Sequence, residues 1–146
     1  VSLICGEDNV TSNQYYSFDS SNSKVVITPW DMDLTWGLYW NLSMPLHSEF
    51  SWDNDFSAKW MNENITKNMD EKTLSLLRNR YWKLRQSVIT MYNINSYLDS
   101  YKDLLVSSGA AVRDSERWYS YDVSYEIENI REWARRRILF LDEYFK

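Results

Sequence analysis

Cysteine is nearly absent from this chain. Cys5 is its sole cysteine, so no disulfide can form within the chain and a thiolate zinc cluster is excluded. His47 is equally alone, set between Leu46 and Ser48. A histidine in that setting reads as a loop residue, because a histidine-based metal site would need partners the chain lacks. Glycine is scarce too. Gly6, Gly37 and Gly109 are too widely spread to build a Gly-rich loop over a nucleotide's phosphates. No apolar run approaches the ~18 residues of a membrane span. No basic start or small-residue cleavage site marks a signal peptide. The chain opens at Val1 rather than Met, which fits a processed piece from which a parent's signal sequence would be gone. The net charge is −5, and the one basic run, Arg135, Arg136 and Arg137, is short and flanked by acids. Nucleic acid is therefore a poor partner, since neutralising phosphates needs clustered cations.

What is present is a globular composition with a high aromatic share. Hydrophobic residues make up 44% of the 146, enough for one domain or a piece of one, and aromatics make up 16%, with eight Trp and eleven Tyr. Such side chains supply amphipathic surface for a core or a ligand site. Asn-x-Ser/Thr sequons stand at Asn9, Asn41 and Asn64, and they carry meaning only where secreted proteins are glycosylated.

The chain divides into two unlike halves, without repeats or low-complexity stretches. Residues 1–66 hold short β-like pieces, acids and tryptophans, whereas residues 70–146 read as helix. The aromatic, alternating segment 14–19 and the β-branched segment 24–28 flank Ser20, Ser21, Asn22 and Ser23, a turn composition, and so predict a β-hairpin. Pro29 cannot donate a ladder hydrogen bond and should end the second strand. Residues 38–56 show no period and read as an irregular surface loop.

Three helices are then expected. Asp70 caps the first, whose apolar stripe is Leu74, Leu77, Tyr81, Leu84, Val88 and Met91. Asn93 and Asn95 break the run and Asn95 caps the second, which carries Leu98, Tyr101 and Leu105 and stops at Gly109. The third follows Asp122 with Val123, Ile127, Ile130, Ala134, Ile138, Leu141 and Phe145 on one face. Leu77, Leu84, Ile127, Ile130, Ile138 and Leu141 are the expected buried core. The fold class is α+β, a short antiparallel hairpin followed by a mainly helical part.

Chemistry concentrates at two places. Asp8 is followed five positions later by Asn13, and the string Pro29-Trp30-Asp31-Met32-Asp33-Leu34-Thr35-Trp36-Gly37 follows the hairpin. Phosphoryl transfer needs an Asp to orient the attacking hydroxyl and accept its proton, and an Asn and a second Asp to hold magnesium on the phosphate oxygens. Protein kinases arrange these groups as Asp-x-x-x-x-Asn, a hairpin, then a metal-binding Asp, and the order here agrees part by part. The first spacing alone is uninformative, since roughly one such pair arises by chance in a chain this rich in Asp and Asn. Asp-x-Asp is also common, and Asp53-Asn54-Asp55 is a similar acidic pair that reads as a solvated loop. The longer string is more specific, because a Trp on each side of two acids is costly on a bare surface loop and more often walls a site.

That string resembles the signature of the spore-coat protein H (CotH) kinase family, an Asp, an Asn-Tyr element, a hairpin and Pro-Trp-Asp-x-Asp with a Gly after it. Asp8, Asn13, Tyr15 and Tyr16 fall in its first part, although Gln14 stands between Asn13 and the Tyr pair. Downstream, Ala110-Ala111-Val112-Arg113-Asp114-Ser115-Glu116-Arg117-Trp118 resembles the family's Ala-x-x-x-Asp-x-x-Arg-Trp element. The terminal helix with its three arginines is also similar, and residues 41–66 match least. The resemblance implies that residues 1–146 are the C-terminal part of an atypical kinase domain. Residues 1–40 would hold the catalytic loop, hairpin and metal loop, and residues 70–146 the helical core. The implied activity is transfer of phosphate from ATP to Ser residues of spore-coat or cell-surface proteins, with a spore-coat, cell-surface or extracellular location. The implied cofactors are magnesium, or manganese or calcium in its place, and ATP.

By the same resemblance, Asp8 is the catalytic base, Asn13 a magnesium ligand or an orienting catalytic group, Asp31 the main metal ligand and Asp33 a carboxylate that backs the metal's ligands or holds a second metal. Trp30 lies with Asp31 at the cofactor. No strand upstream of Asp8 bears a phosphate-pairing Lys, so the nucleotide-clamping half is expected before Val1 in a longer parent. The parent would be the enzyme and this chain alone would not. Rival readings are a non-catalytic adhesive or structural surface protein that keeps the family fold, a carbohydrate-binding module, which predicts a β-sandwich, and a glycosyltransferase-like Asp-x-Asp enzyme, which needs a βαβ fold.

Overall fold

A computed structural model describes residues 2–4, 6, 9, 12–38, 63, 66–118 and 122–146. The chain separates into two compact units, Val1–Leu74 and Ser75–Lys146. The predicted α+β class is what is found, with a two-stranded antiparallel hairpin followed by four α-helices among the described residues. Asp8, the expected loop from residue 39 onward and the sequons at Asn41 and Asn64 lie outside the described residues.

In the first unit, a short 3-10 turn at Ser2–Ile4 precedes strand β1, Gln14–Asp19, which pairs with β2, Lys24–Pro29. The register runs from Gln14 opposite Pro29 to Asp19 opposite Lys24. The second strand ends at Pro29, as the missing N–H requires. The turn is held by Asp19, whose carboxylate accepts from the Ser21 N–H at 3.0 Å, the Ser21 hydroxyl at 2.6 Å and the Asn22 amide at 2.8 Å. These donors, Ser21 foremost, draw the Asp19 carboxyl below its usual range.

The helices are α1 (Glu71–Arg85), α2 (Met91–Ser107), α3 (Ala110–Arg117) and α4 (Val123–Tyr144). Asp70 caps the start of α1, accepting from the Thr73 N–H at 2.8 Å, and Asp122 caps α4 through the Ser124 and Tyr125 N–H groups. The expected first helix is too long, for α1 stops at Arg85. There the Leu84 carbonyl collects three N–H groups, from Ser87 at 3.1 Å, Val88 at 2.7 Å and Ile89 at 2.8 Å, which closes the helix without Gly or Pro. The next helix is capped by Thr90 rather than by Asn95. Thr90 is extended and accepts from Asn93 N–H, and Asn95 lies one turn inside α2. Gly109 ends α2 as expected, in a left-handed conformation (φ 69°) that suits glycine. The chain then turns straight into α3, a helix the sequence reading did not separate.

The core of the second unit is centred on α4. Ile127, Trp133, Ala134, Ile138, Leu141 and Phe145 are buried, with Tyr81 from α1. Tyr81 stacks on Phe145 with ring centroids 4.5 Å apart, and Trp82 Nε1 donates to the Phe145 carbonyl at 2.8 Å. Three of the six expected core residues, Ile127, Ile138 and Leu141, are thus buried, while Leu77, Leu84 and Ile130 are only half-buried. Val88 falls beyond the end of α1 and is exposed. Asp142 accepts two bonds from one edge of the Arg85 guanidinium, Nε at 2.7 Å and Nη2 at 2.9 Å, and accepts the Tyr81 hydroxyl at 2.6 Å. The arginine run is not a basic patch. Arg135 and Arg136 both pair with Glu132, which they pull down to about 2, and Arg137 is fully buried beside Phe140.

Candidate functional site

The open end of the hairpin holds the acidic string. Beyond the last β-pair, the Trp30 N–H donates to the Asn13 carbonyl at 2.9 Å, which carries the ladder one step further and sets Asn13 opposite the residue before Asp31. Sequence separates Asn13 from Asp31 widely, and the hairpin closes that gap.

Asn9 closes it a second time. Its side chain is 1% exposed, and its Nδ2 donates to the Trp30 carbonyl at 2.7 Å and to the Asn13 carbonyl at 3.3 Å. The Asn9 carbonyl accepts from the Gln14 side chain, and the Asn9 N–H donates to the Gly6 carbonyl at 3.2 Å. Sequence reading saw Asn9 only as a sequon. Burial of its amide leaves no room for a glycan in this fold.

The loop after β2 is pinned at further points. Thr35, 7% exposed, donates its hydroxyl to the Met32 carbonyl at 2.7 Å, and the Trp36 N–H donates to the Ile4 carbonyl at 2.8 Å. The Leu38 N–H returns to the Thr35 carbonyl at 3.1 Å, around Gly37 at φ 92°. Between these pins Asp31 and Asp33 are exposed. A loop fastened on both sides can hold two carboxylates in fixed positions toward a ligand.

Backbone strain gathers at the same place. Asn13 (φ 48°), Asp31 (φ 53°) and Trp36 (φ 56°) are left-handed, a region that Asn tolerates and a residue as bulky as Trp rarely enters. Such conformations cost about 1–3 kcal/mol each and persist where the surroundings over-determine them, often at functional sites. Trp30 is 48% exposed and lies against Tyr15, ring centroids 5.7 Å apart and inclined at 40°.

The donor set suits a hard cation. An amide oxygen and two carboxylates are what magnesium takes from a protein when waters and phosphate oxygens complete its shell. Among the described residues no three His, Cys, Asp or Glu side chains cluster closely enough for an all-protein cage, a count that leaves out Asp8. Magnesium bound through substrate phosphates does not require such a cage. Asn13, Asp31 and Asp33 are thus of the residue types such an ion takes, and Asp31 and Asp33 are exposed.

Among the described residues no helix is long and apolar enough to cross a membrane. The described strands form a single two-stranded sheet. Neither the β-sandwich of a carbohydrate-binding module nor the βαβ unit of a nucleotide-sugar enzyme occurs among them. In comparisons with known proteins, no curated protein and no solved structure matches the chain. The family model described as CotH kinase protein matches residues 2–141, a span that takes in the hairpin, the acidic loop and α1 to α3, and nearly all of α4. With the Pro-Trp-Asp-x-Asp loop seated at the hairpin's open end, that match makes this chain a member of the CotH kinase family.

Proposed function

We propose that the chain is the C-terminal part of an atypical protein kinase that transfers the γ-phosphoryl group of ATP to Ser side chains of coat or cell-surface proteins. The observation that supports this reading is the backbone pairing of Asn13 with Trp30 at the mouth of the hairpin, which brings the Asn13 backbone beside the start of the Asp31–Asp33 loop.

In the proposed reaction the serine oxygen forms a bond to the γ-phosphorus as the bond from that phosphorus to the β–γ bridging oxygen breaks. ADP leaves with the electron pair, and the serine proton passes to the Asp8 carboxylate. Asp31, with Asn13 and Asp33, would hold magnesium, which neutralises charge building on the phosphate oxygens. Trp30 and Tyr15 would shield one side of the site from water. Residues 1–40 would then hold the catalytic loop, hairpin and metal loop, and residues 70–146 the helical core. A phosphate-pairing Lys and a covering loop, for which the sequence before Asp8 offers no candidate, would come from elsewhere in a longer protein. The spore coat or cell surface is the proposed location.

The test is incubation of the full-length protein with γ-labelled ATP, magnesium and extracted coat or surface proteins. Phosphoserine in the labelled products is the expected result. ATP consumed without any phosphorylated protein, or no turnover with any divalent ion, would refute the reading and favour a non-catalytic surface protein.

A further inference from the structure

We propose that Asn9 is a positioning residue of the phosphotransfer site, whose buried amide sets the backbone carrying Asn13 and Asp31. This rests on the kinase reading and adds to it a residue that the reading does not use.

Asn9 follows Asp8 directly in the chain, and its Nδ2 reaches the carbonyls of both Trp30 (2.7 Å) and Asn13 (3.3 Å). One side chain therefore links all three segments to which chemistry is assigned. The Trp30 carbonyl belongs to the peptide group whose N–H is that of Asp31. Holding that carbonyl fixes the plane from which Asp31 departs at φ 53°. An unheld peptide would relax toward the common negative-φ regions and swing the carboxylate away.

The residue type is demanded by the geometry. Two carbonyl oxygens converge on one buried nitrogen, so the group must be neutral and carry two N–H donors. A carboxylate in its place would set lone pairs against lone pairs. An apolar side chain would leave the Asn13 carbonyl with Trp30 alone and strip the Trp30 carbonyl of this donor.

Gly6 belongs to the same device. A Cβ at position 6 would lie 2.6 Å from Asn9 Oδ1, closer than atoms tolerate, so Asn9 keeps its seat only over a glycine. The Asn9 N–H in turn donates to the Gly6 carbonyl.

The experiment uses the full-length protein with manganese as the probe. Free manganese is followed by electron paramagnetic resonance in the presence of ATP, beside kcat and KM for phosphotransfer and a urea melt to set the folded fraction. Asn9→Asp and Gly6→Ala are the test variants and Asp31→Asn is the reference. Both test variants are expected to weaken manganese binding and lower kcat by about ten- to a hundredfold in folded protein, as misplacement of a positioned group does. Gly6→Ala leaves the Asn9 side chain chemically intact and only dislodges it, so it decides the matter if Asn9→Asp does not fold. A purely structural Asn9 would lower the melting midpoint and leave manganese affinity and kcat of the folded fraction at the wild-type values, which would overturn the proposal. If Asp31→Asn also binds manganese and turns over like wild type, the kinase site itself is refuted. If Asp31→Asn is inactive while Asn9→Asp and Gly6→Ala are unaffected, only the positioning role falls.

Discussion

Asp142 receives three hydrogen bonds from two side chains of α1, Tyr81 and Arg85. Burial alone would raise its carboxyl, but the Arg85 fork and the Tyr81 hydroxyl outweigh that and hold it below the ordinary carboxyl value. Burial, then the Asp142 carboxylate, pushes the Tyr81 phenol well above its ordinary value. Because the folded value of Asp142 is depressed, its stabilisation is complete above the ordinary carboxyl value and is lost as pH falls through the folded one. Asp142→Asn is therefore expected to cost about 1–3 kcal/mol at neutral pH. The gap from wild type should narrow in urea melts below about pH 4. A gap that is constant with pH would mean the carboxylate charge plays no part. Burial makes a second prediction at this scale. Ile138, 2% exposed, should cost about 2–5 kcal/mol when cut to Ala, and half-buried Leu84 under about 2 kcal/mol, both read from denaturant midpoints. Equal costs would contradict the placement of the core on α4. Periodicity marked Ile138 and Leu141 correctly because α4 repeats at three and four without interruption. It overrated Leu77 and Leu84, since a stripe shows which face turns inward and not how much other chain covers it. Asp142 was not legible at all, because its partners lie 57 and 61 positions away.

At the scale of elements, local chemistry was readable wherever a residue type has one dominant use. The four-residue polar turn, the β-branched second strand and Pro29 place the hairpin, and Asp70, Asp122 and Gly109 mark helix ends where they were expected. The break between α1 and α2 was hidden because Val88 and Met91 stay in phase with the stripe. It is made by side chains that reach carbonyls four to six positions away, a pattern that apolar periodicity does not register. Arg85 Nη1 donates to the Ile89 carbonyl at 2.6 Å, and the Asn93 amide donates to the Ser87 and Val88 carbonyls at 2.8 and 3.0 Å. Thr90 then starts α2 with a side-chain bond to Asn93 N–H at 3.1 Å. Thr90→Ala is expected to destabilise the protein by about 1 kcal/mol, measured by urea denaturation. No change would mean that the Asn93 amide alone sets the start of the helix. The acidic loop was legible as a string, because Trp, Asp and Gly at fixed offsets are specific together. Its clamp was not, since Gly6 and Asn9 are meaningful only once the hairpin has brought Asn13 and Trp30 beside them.

Across the whole molecule, the proposed chemistry is unevenly supplied. Asn13, Asp31 and Asp33 lie at the open end of the hairpin, while no Gly-rich loop is present in the 146 residues and no Lys precedes Asp8. Phosphoryl transfer depends on positioning and charge stabilisation from both sides of the nucleotide. Residues 1–146 alone are thus expected to bind ATP weakly or not at all in calorimetry with magnesium, and to phosphorylate nothing. Micromolar affinity would place part of the clamp within residues 38–68. Asp31→Asn in the full-length protein tests the central claim most directly, because it keeps shape and removes the charge that would hold the metal. The account predicts that the variant melts like wild type and that phosphotransfer to protein serine falls by at least about a hundredfold. A folded Asp31→Asn variant that phosphorylates at the wild-type rate would contradict it.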